Sequence, residues 1–121
     1  MKPAAPLRVL LLGGGSGGHV LPGLAVAEAL GEAATCVAAC SDRPVDAAIL
    51  GDWGIPFEPL PARAPSPRPR AALAFAAGWR ASVRRGRRLL KDHRIEVVLA
   101  TGGFVCPPVA AENPNRTFVT P

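Results

Sequence analysis

Hydrophobic positions fall in short blocks along the chain, and two kinds of block alternate. Leu7 to Leu12, Thr35 to Cys40 and Ile95 to Ala100 are apolar at nearly every position, as strands buried on both faces of a parallel sheet should be. Helical signals lie between them. One helix is expected from about Leu21 to Leu30, with Pro22 tolerated in its first turn and Gly31 as its stop. A second spans Pro44 to Leu50, capped by Ser41 or Asp42 and ended by Gly51. The longest runs from Ala71 to about Asp92 and sets Phe75, Trp79, Val83, Gly86 and Leu90 on one face, with Arg80, Arg84, Arg87 and Lys91 on another.

The connections carry their own signals. Ile55 to Leu60 alternates like a strand, but Pro56 and Pro59 lack the N–H that a central ladder needs, so it belongs at an edge. Arg63 to Arg70, with Pro65, Pro67 and Pro69, reads as a loop. Glycines follow two of the strands, at Gly13 to Gly18 and at Gly102-Gly103. A short apolar segment then runs through Ala111, and Thr117 to Val119 can form a last strand. This order predicts an α/β fold, a Rossmann-like parallel sheet with flanking helices, whose right-handed crossovers bring both glycine turns to the carboxyl ends of their strands. Ligands bind at that rim in open α/β sheets.

Composition narrows the partners. The 121 residues fit one domain, and 49% hydrophobic against 19% charged residues argues for a globular chain. The net charge is +5, yet ten of the 14 Lys and Arg lie between Arg63 and Arg94, offset only by Asp92. Such a segment suits phospholipid, nucleic acid or a phosphorylated substrate, or serves as a solvated helix face. Cys36, Cys40 and Cys106 form no Cys-x-x-Cys pair, so neither a zinc site nor a disulfide framework is indicated. No apolar run approaches the roughly 20 residues needed to span a bilayer. Leu7 to Leu12 is too short for a signal-peptide core, and a cytoplasmic protein is expected. Asn115-Arg116-Thr117 then matches a glycosylation acceptor by chance.

The first glycine stretch, Gly13-Gly14-Gly15-Ser16-Gly17-Gly18-His19, lies between a strand and a helix. Glycines there let the backbone approach a ligand, and the helix aims unpaired N–H groups at it, so the loop is a candidate phosphate or diphosphate cradle. Gly13-x-Gly15-x-x-Gly18 also satisfies the dinucleotide pattern, with Asp42 as a ribose-binding acid. No Gly-Lys-Ser or Gly-Lys-Thr follows, which excludes a Walker loop. His19 can donate a hydrogen bond and accept a proton near neutral pH; its plainer role is to close the helix start.

The longer string from Gly13 through His19-Val20-Leu21-Pro22-Gly23-Leu24-Ala25-Val26-Ala27, with Thr101-Gly102-Gly103-Phe104-Val105 further on, resembles the N-terminal half of the MurG family. These glycosyltransferases add N-acetylglucosamine to undecaprenyl-linked muramoyl-pentapeptide. Ser16 stands where the family has threonine, Phe104 where it has tyrosine, and Cys106 and Pro107 where it has serine and glycine. The resemblance covers nearly the whole chain. It implies the N-terminal half of a GT-B glycosyltransferase, an inverting reaction, and no bound metal or cofactor.

It further implies that residues 1–121 are an acceptor-binding domain, apparently truncated or served by a separate donor-binding subunit, and inactive in transfer alone. His19 would be the general base for the acceptor hydroxyl. Gly14, Gly15, Ser16, Gly17 and Gly18, with Gly102 and Gly103, would face the acceptor diphosphate. Leu73, Phe75, Trp79, Arg80 and Arg84 would contact an anionic membrane at its cytoplasmic face, with Val83 and Leu90 left to pack on the sheet. The expected partners are the lipid acceptor and that membrane, and no nucleic acid. Two alternatives stay open: a non-catalytic lipid-diphosphate or membrane-binding module, and a dinucleotide-binding domain.

Overall fold

A computed structural model describes residues 5–14, 17–103, 105–110 and 116–119, with the backbone alone described at 17–19 and 116–119. The elements follow in the order β1 (Leu7–Gly13), α1 (Gly17–Leu30), β2 (Ala34–Ser41), α2 (Pro44–Trp53), β3 (Phe57–Leu60), α3 (Pro69–Asp92), β4 (Val97–Gly102), α4 (Cys106–Ala110) and β5 (Arg116–Val119). Among the described residues the strands form one five-stranded sheet in the order β3-β2-β1-β4-β5, and every neighbouring pair is parallel. The proline-bearing β3 lies at an edge, where its missing N–H groups break no inner ladder.

Alternation along β1 divides the core in two. Leu10 and Leu12 pack with Val37, Ala39, Val98, Leu89 of α3 and Val109 of α4. Val9 and Leu11 pack with Val20 and Leu24 of α1 and Leu50 of α2. Successive strand residues point to opposite faces, so α1 and α2 cover one side of the sheet and α3 and α4 the other. This is the doubly wound arrangement the alternating blocks imply.

Two helix boundaries and one cap differ from the sequence expectation. α1 starts at Gly17, inside the glycine stretch, so Pro22 stands within the helix rather than in its first turn. Pro22 has no N–H to offer the Gly18 carbonyl one turn back. α2 runs past Gly51 to Trp53, because Gly54 is the residue that takes the left-handed conformation (φ +68°) and returns its N–H to the carbonyls of Leu50 and Gly51. Its N-cap is Arg43, without a side-chain cap, since Ser41 Oγ is engaged elsewhere.

α3 also packs through a different stripe. Its buried residues are Gly78, Ser82, Gly86 and Leu89. A Cβ at Gly78 would collide with the Pro61 carbonyl oxygen, and one at Gly86 would lie 2.8 Å from Val109 Cγ2. The helix therefore approaches β3 and α4 on its small residues. Of the apolar face expected to pack, Gly86 is buried, Leu90 packs against the core, and Val83, Phe75 and Trp79 are half-buried. Gly86 costs the helix about 1 kcal/mol in propensity, and close approach to Val109 is what it gives in return.

Candidate functional site

The strand order reverses between β1 and β4, and both glycine turns meet there. Register along the pair shifts between Leu12 and Gly13, where Gly13 pairs with Gly102 and Thr101 becomes the extra residue. Thr101 Oγ1 donates to the Leu12 carbonyl at 3.4 Å, and the Gly14 N–H donates to the Gly102 carbonyl at 3.3 Å. Gly102 and Gly103 hold φ of +120° and +94°, values that side chains rarely adopt. A Cβ on Gly103 would also fall on the Gly14 carbonyl oxygen. The two turns are thus locked against each other by backbone contact.

Cys106, at the start of α4, completes this tie. Its Sγ lies 3.3 Å from the Leu12 carbonyl oxygen and 3.2 Å from that of Gly102, so its single S–H is shared between the two strand ends. Burial pushes the Cys106 thiol up, opposed by its backbone hydrogen bonds, and burial likewise raises Cys36. Cys40 is pushed up to about 12, by burial first and then by the charges of Asp46 and Asp42. All three therefore stay protonated at neutral pH and are poor nucleophiles. With an aromatic disulfide reagent at pH 8, half-buried Cys36 should label first and buried Cys40 only on unfolding. Fast native labelling of Cys40 would contradict this packing.

Beneath the first turn sits a residue with no sequence motif, Asp46. It is wholly buried. Its Oδ2 accepts the Ser41 N–H at 3.1 Å and the Ser41 hydroxyl at 2.5 Å, and Ser41 Oγ in turn accepts the Arg43 N–H at 3.3 Å. A Cβ on Gly14 would press against Ser41 N and stand 2.7 Å from Asp46 Oδ2. Gly14 is therefore needed for close passage over this cluster, and its N–H is committed to Gly102. The available signal for Asp46 was an acid in the first turn of a helix directly after a buried strand.

The remaining expected residues are placed as follows. Gly17 and Gly18 open α1, and His19 is its third residue. The side chain of His19, with Gly15, Ser16 and Phe104, lies outside the described residues. Asp42, the ribose-binding acid of the dinucleotide reading, instead has its two carboxylate oxygens on Arg63, at 3.0 Å from Nη1 and 2.8 Å from Nη2. A ribose would have to displace that ion pair. On α3, Phe75 and Trp79 meet at a tilt of 49° with 5.8 Å between ring centroids and form, with Ala76 and Arg80, an open apolar surface. Leu73 is 72% exposed, and Arg80 and Arg84 are exposed beside it. Among the described residues, no cluster of His, Cys, Asp and Glu could hold a metal, and no helix is long and apolar enough to cross a membrane.

Comparison with known proteins adds identity to this geometry. The Glycosyltransferase family 28 N-terminal domain matches residues 9–120. Relatives named UDP-N-acetylglucosamine--N-acetylmuramyl-(pentapeptide) pyrophosphoryl-undecaprenol N-acetylglucosamine transferase match in sequence. The one from Exiguobacterium sibiricum is 36% identical across 93% of this chain and 33% of its own length. That from Desulforudis audaxviator is 38% identical across 85% of this chain and 29% of its own. The crystal structure of Acinetobacter baumannii MurG superposes with a TM-score of 0.73 at 20% identity, over 94% of this chain and 35% of that one. The chain spans about a third of the length of these relatives, and its sheet is that of the N-terminal half of a GT-B glycosyltransferase. Residues 9–120, with both glycine turns, thus make this chain a member of glycosyltransferase family 28 through its N-terminal domain.

Proposed function

We propose that this chain is the acceptor-binding half of an inverting N-acetylglucosaminyltransferase acting on a lipid-linked muramoyl-pentapeptide, the step from lipid I to lipid II in peptidoglycan synthesis. The observation that carries the reading is sequence identity of 36% over 93% of the chain with a transferase whose name specifies that acceptor. The glycine rim supports it chemically. Backbone N–H groups at the opening of α1, unpaired within the helix, suit diphosphate oxygens. Gly102 and Gly103 close the other side of that rim.

In this reading His19 takes the proton of the acceptor hydroxyl as its oxygen bonds to the anomeric carbon of the donor sugar. The bond from that carbon to the uridine diphosphate breaks on the opposite face, and UDP leaves. The sugar nucleotide is held outside residues 1–121, by a further domain or by a separate donor-binding subunit. The exposed Leu73, the Phe75–Trp79 pair and Arg80 and Arg84 suit an anionic bilayer, which would set the protein peripherally on the cytoplasmic face of the plasma membrane.

Binding of a fluorescent, short-chain lipid-linked muramoyl-pentapeptide analogue tests the proposal. Saturable binding is expected for the wild type, with a loss of at least about tenfold in Gly18→Val, where a side chain blocks the cradle. His19→Ala should bind nearly as the wild type does while abolishing transfer in the presence of the donor half. A folded chain that fails to bind would reduce the transferase reading to ancestry.

A further inference from the structure

One groove at the same end of the sheet takes no part in the glycine rim. It is lined by Asp42 and Arg43 after β2, Arg63 and Ala64 after β3, and Ala71 and Ala74 in the first turns of α3. Arg63 is fixed as part of its wall, by two hydrogen bonds to Asp42 and a third to the Ala62 carbonyl at 3.1 Å. Arg43 differs. Its backbone N–H is held by Ser41 Oγ, but among the described residues its exposed guanidinium has no ion pair or hydrogen bond. Ala64, Ala71 and Ala74 supply the rest of the lining. With Asp42 and Arg63 cancelling, the groove offers one unspent positive charge together with small apolar surface.

We propose that this groove binds a carboxylate of the acceptor's peptide, with the alanine methyl groups of its lining against the peptide's apolar atoms. The inference rests on the acceptor reading above and adds a second subsite to it. A single guanidinium is a fork matched to a carboxylate. A diphosphate suits the groove less, because one unspent guanidinium balances a single negative charge and not two. Position agrees with the division of labour. The groove opens off the ends of β2 and β3, about two strand spacings of roughly 5 Å each from the β1–β4 junction, so about three extended residues at roughly 3.3 Å each reach it from the rim.

Two probes separate the claims: a short-chain lipid-diphosphate-muramoyl-pentapeptide and the same molecule without its peptide, each titrated into the full chain. The wild type should bind the peptide-bearing probe about tenfold more tightly, the contribution expected of one charge-assisted hydrogen-bonded contact. Arg43→Gln should erase that preference and leave the peptide-free probe unchanged. Ala74→Glu, which sets a negative charge in the groove lining to repel a carboxylate, should do the same. Both positions are exposed, and circular dichroism verifies that the variants fold. Equal wild-type binding of both probes, or an Arg43→Gln loss shared by both, overturns the groove assignment while the acceptor reading stands. If the folded wild type binds neither probe, the acceptor reading fails and takes the groove with it.

Discussion

Gly103→Ala lowers the unfolding free energy by about 3 kcal/mol or more and abolishes acceptor binding, the larger of the two strongest effects expected. Two independent causes add at this position. The backbone holds φ at +94°, where an L side chain is strained. A Cβ would also occupy the place of the Gly14 carbonyl oxygen, which is backbone and has no rotamer by which to move aside. Relief requires β4 to part from the β1 turn, breaking the Gly14 to Gly102 hydrogen bond and the Cys106 contacts with it. A urea titration of wild type and variant measures the stability term, and an unchanged midpoint would show that the turns do not touch as described. Gly51→Ala is the matched control, since Gly51 is exposed in α2 with nothing near its Cβ position.

Asp46→Ala should cost about 3 kcal/mol. The carboxylate is wholly buried and accepts both polar groups of Ser41, so its removal strands a buried N–H and hydroxyl and leaves a void under Gly14. The loss extends to the site, because Gly14 passes directly over this cluster. Acceptor binding should therefore weaken along with stability, even though Asp46 touches no ligand in this account. Asp46→Asn, which keeps one acceptor oxygen, should recover part of both. A variant that loses neither stability nor binding would remove Asp46 from the support of the rim.

These two residues mark the limits of what the sequence discloses. Strands β1, β2 and β4 are legible because Leu10, Leu12, Val37, Ala39, Val98 and Ala100 fill one core while their neighbours fill the other. A near-continuous apolar run is the direct trace of that double burial. The glycine turns were legible too, as was the edge position of β3 from its prolines. The packing stripe of α3 was not. Gly78 and Ser82 carry no hydrophobic signal, yet both are buried, and what Gly78 contributes is lack of bulk against Pro61. A pattern of apolar residues points one column away, to Phe75 and Trp79, which remain partly open to solvent.

Helix ends were hidden for a related reason. Gly51 and Gly54 look alike in the sequence, but only Gly54 takes a positive φ, and tertiary context decides between them. At the site, the motif named the loop while its foundation went unseen. Asp46 is recognisable once β2 and α2 are known to bring it under Gly14, a contact between residues 32 positions apart. The Arg63–Asp42 pair, 21 positions apart, is of the same kind. Pairings of that range are set by topology rather than by local pattern.

The central claim is that the acceptor diphosphate docks where the two glycine turns meet. Amide nitrogen–proton NMR spectra of the full chain, recorded during titration with a short-chain lipid-diphosphate-muramoyl-pentapeptide, test it most directly. The account predicts saturable shifts concentrated at Gly17, Gly18 and Gly103, with those of Arg8 and His93 at the amino ends of the strands unmoved. Shifts that gather at the strands' amino ends, or a spectrum of folded protein that does not change, would contradict it.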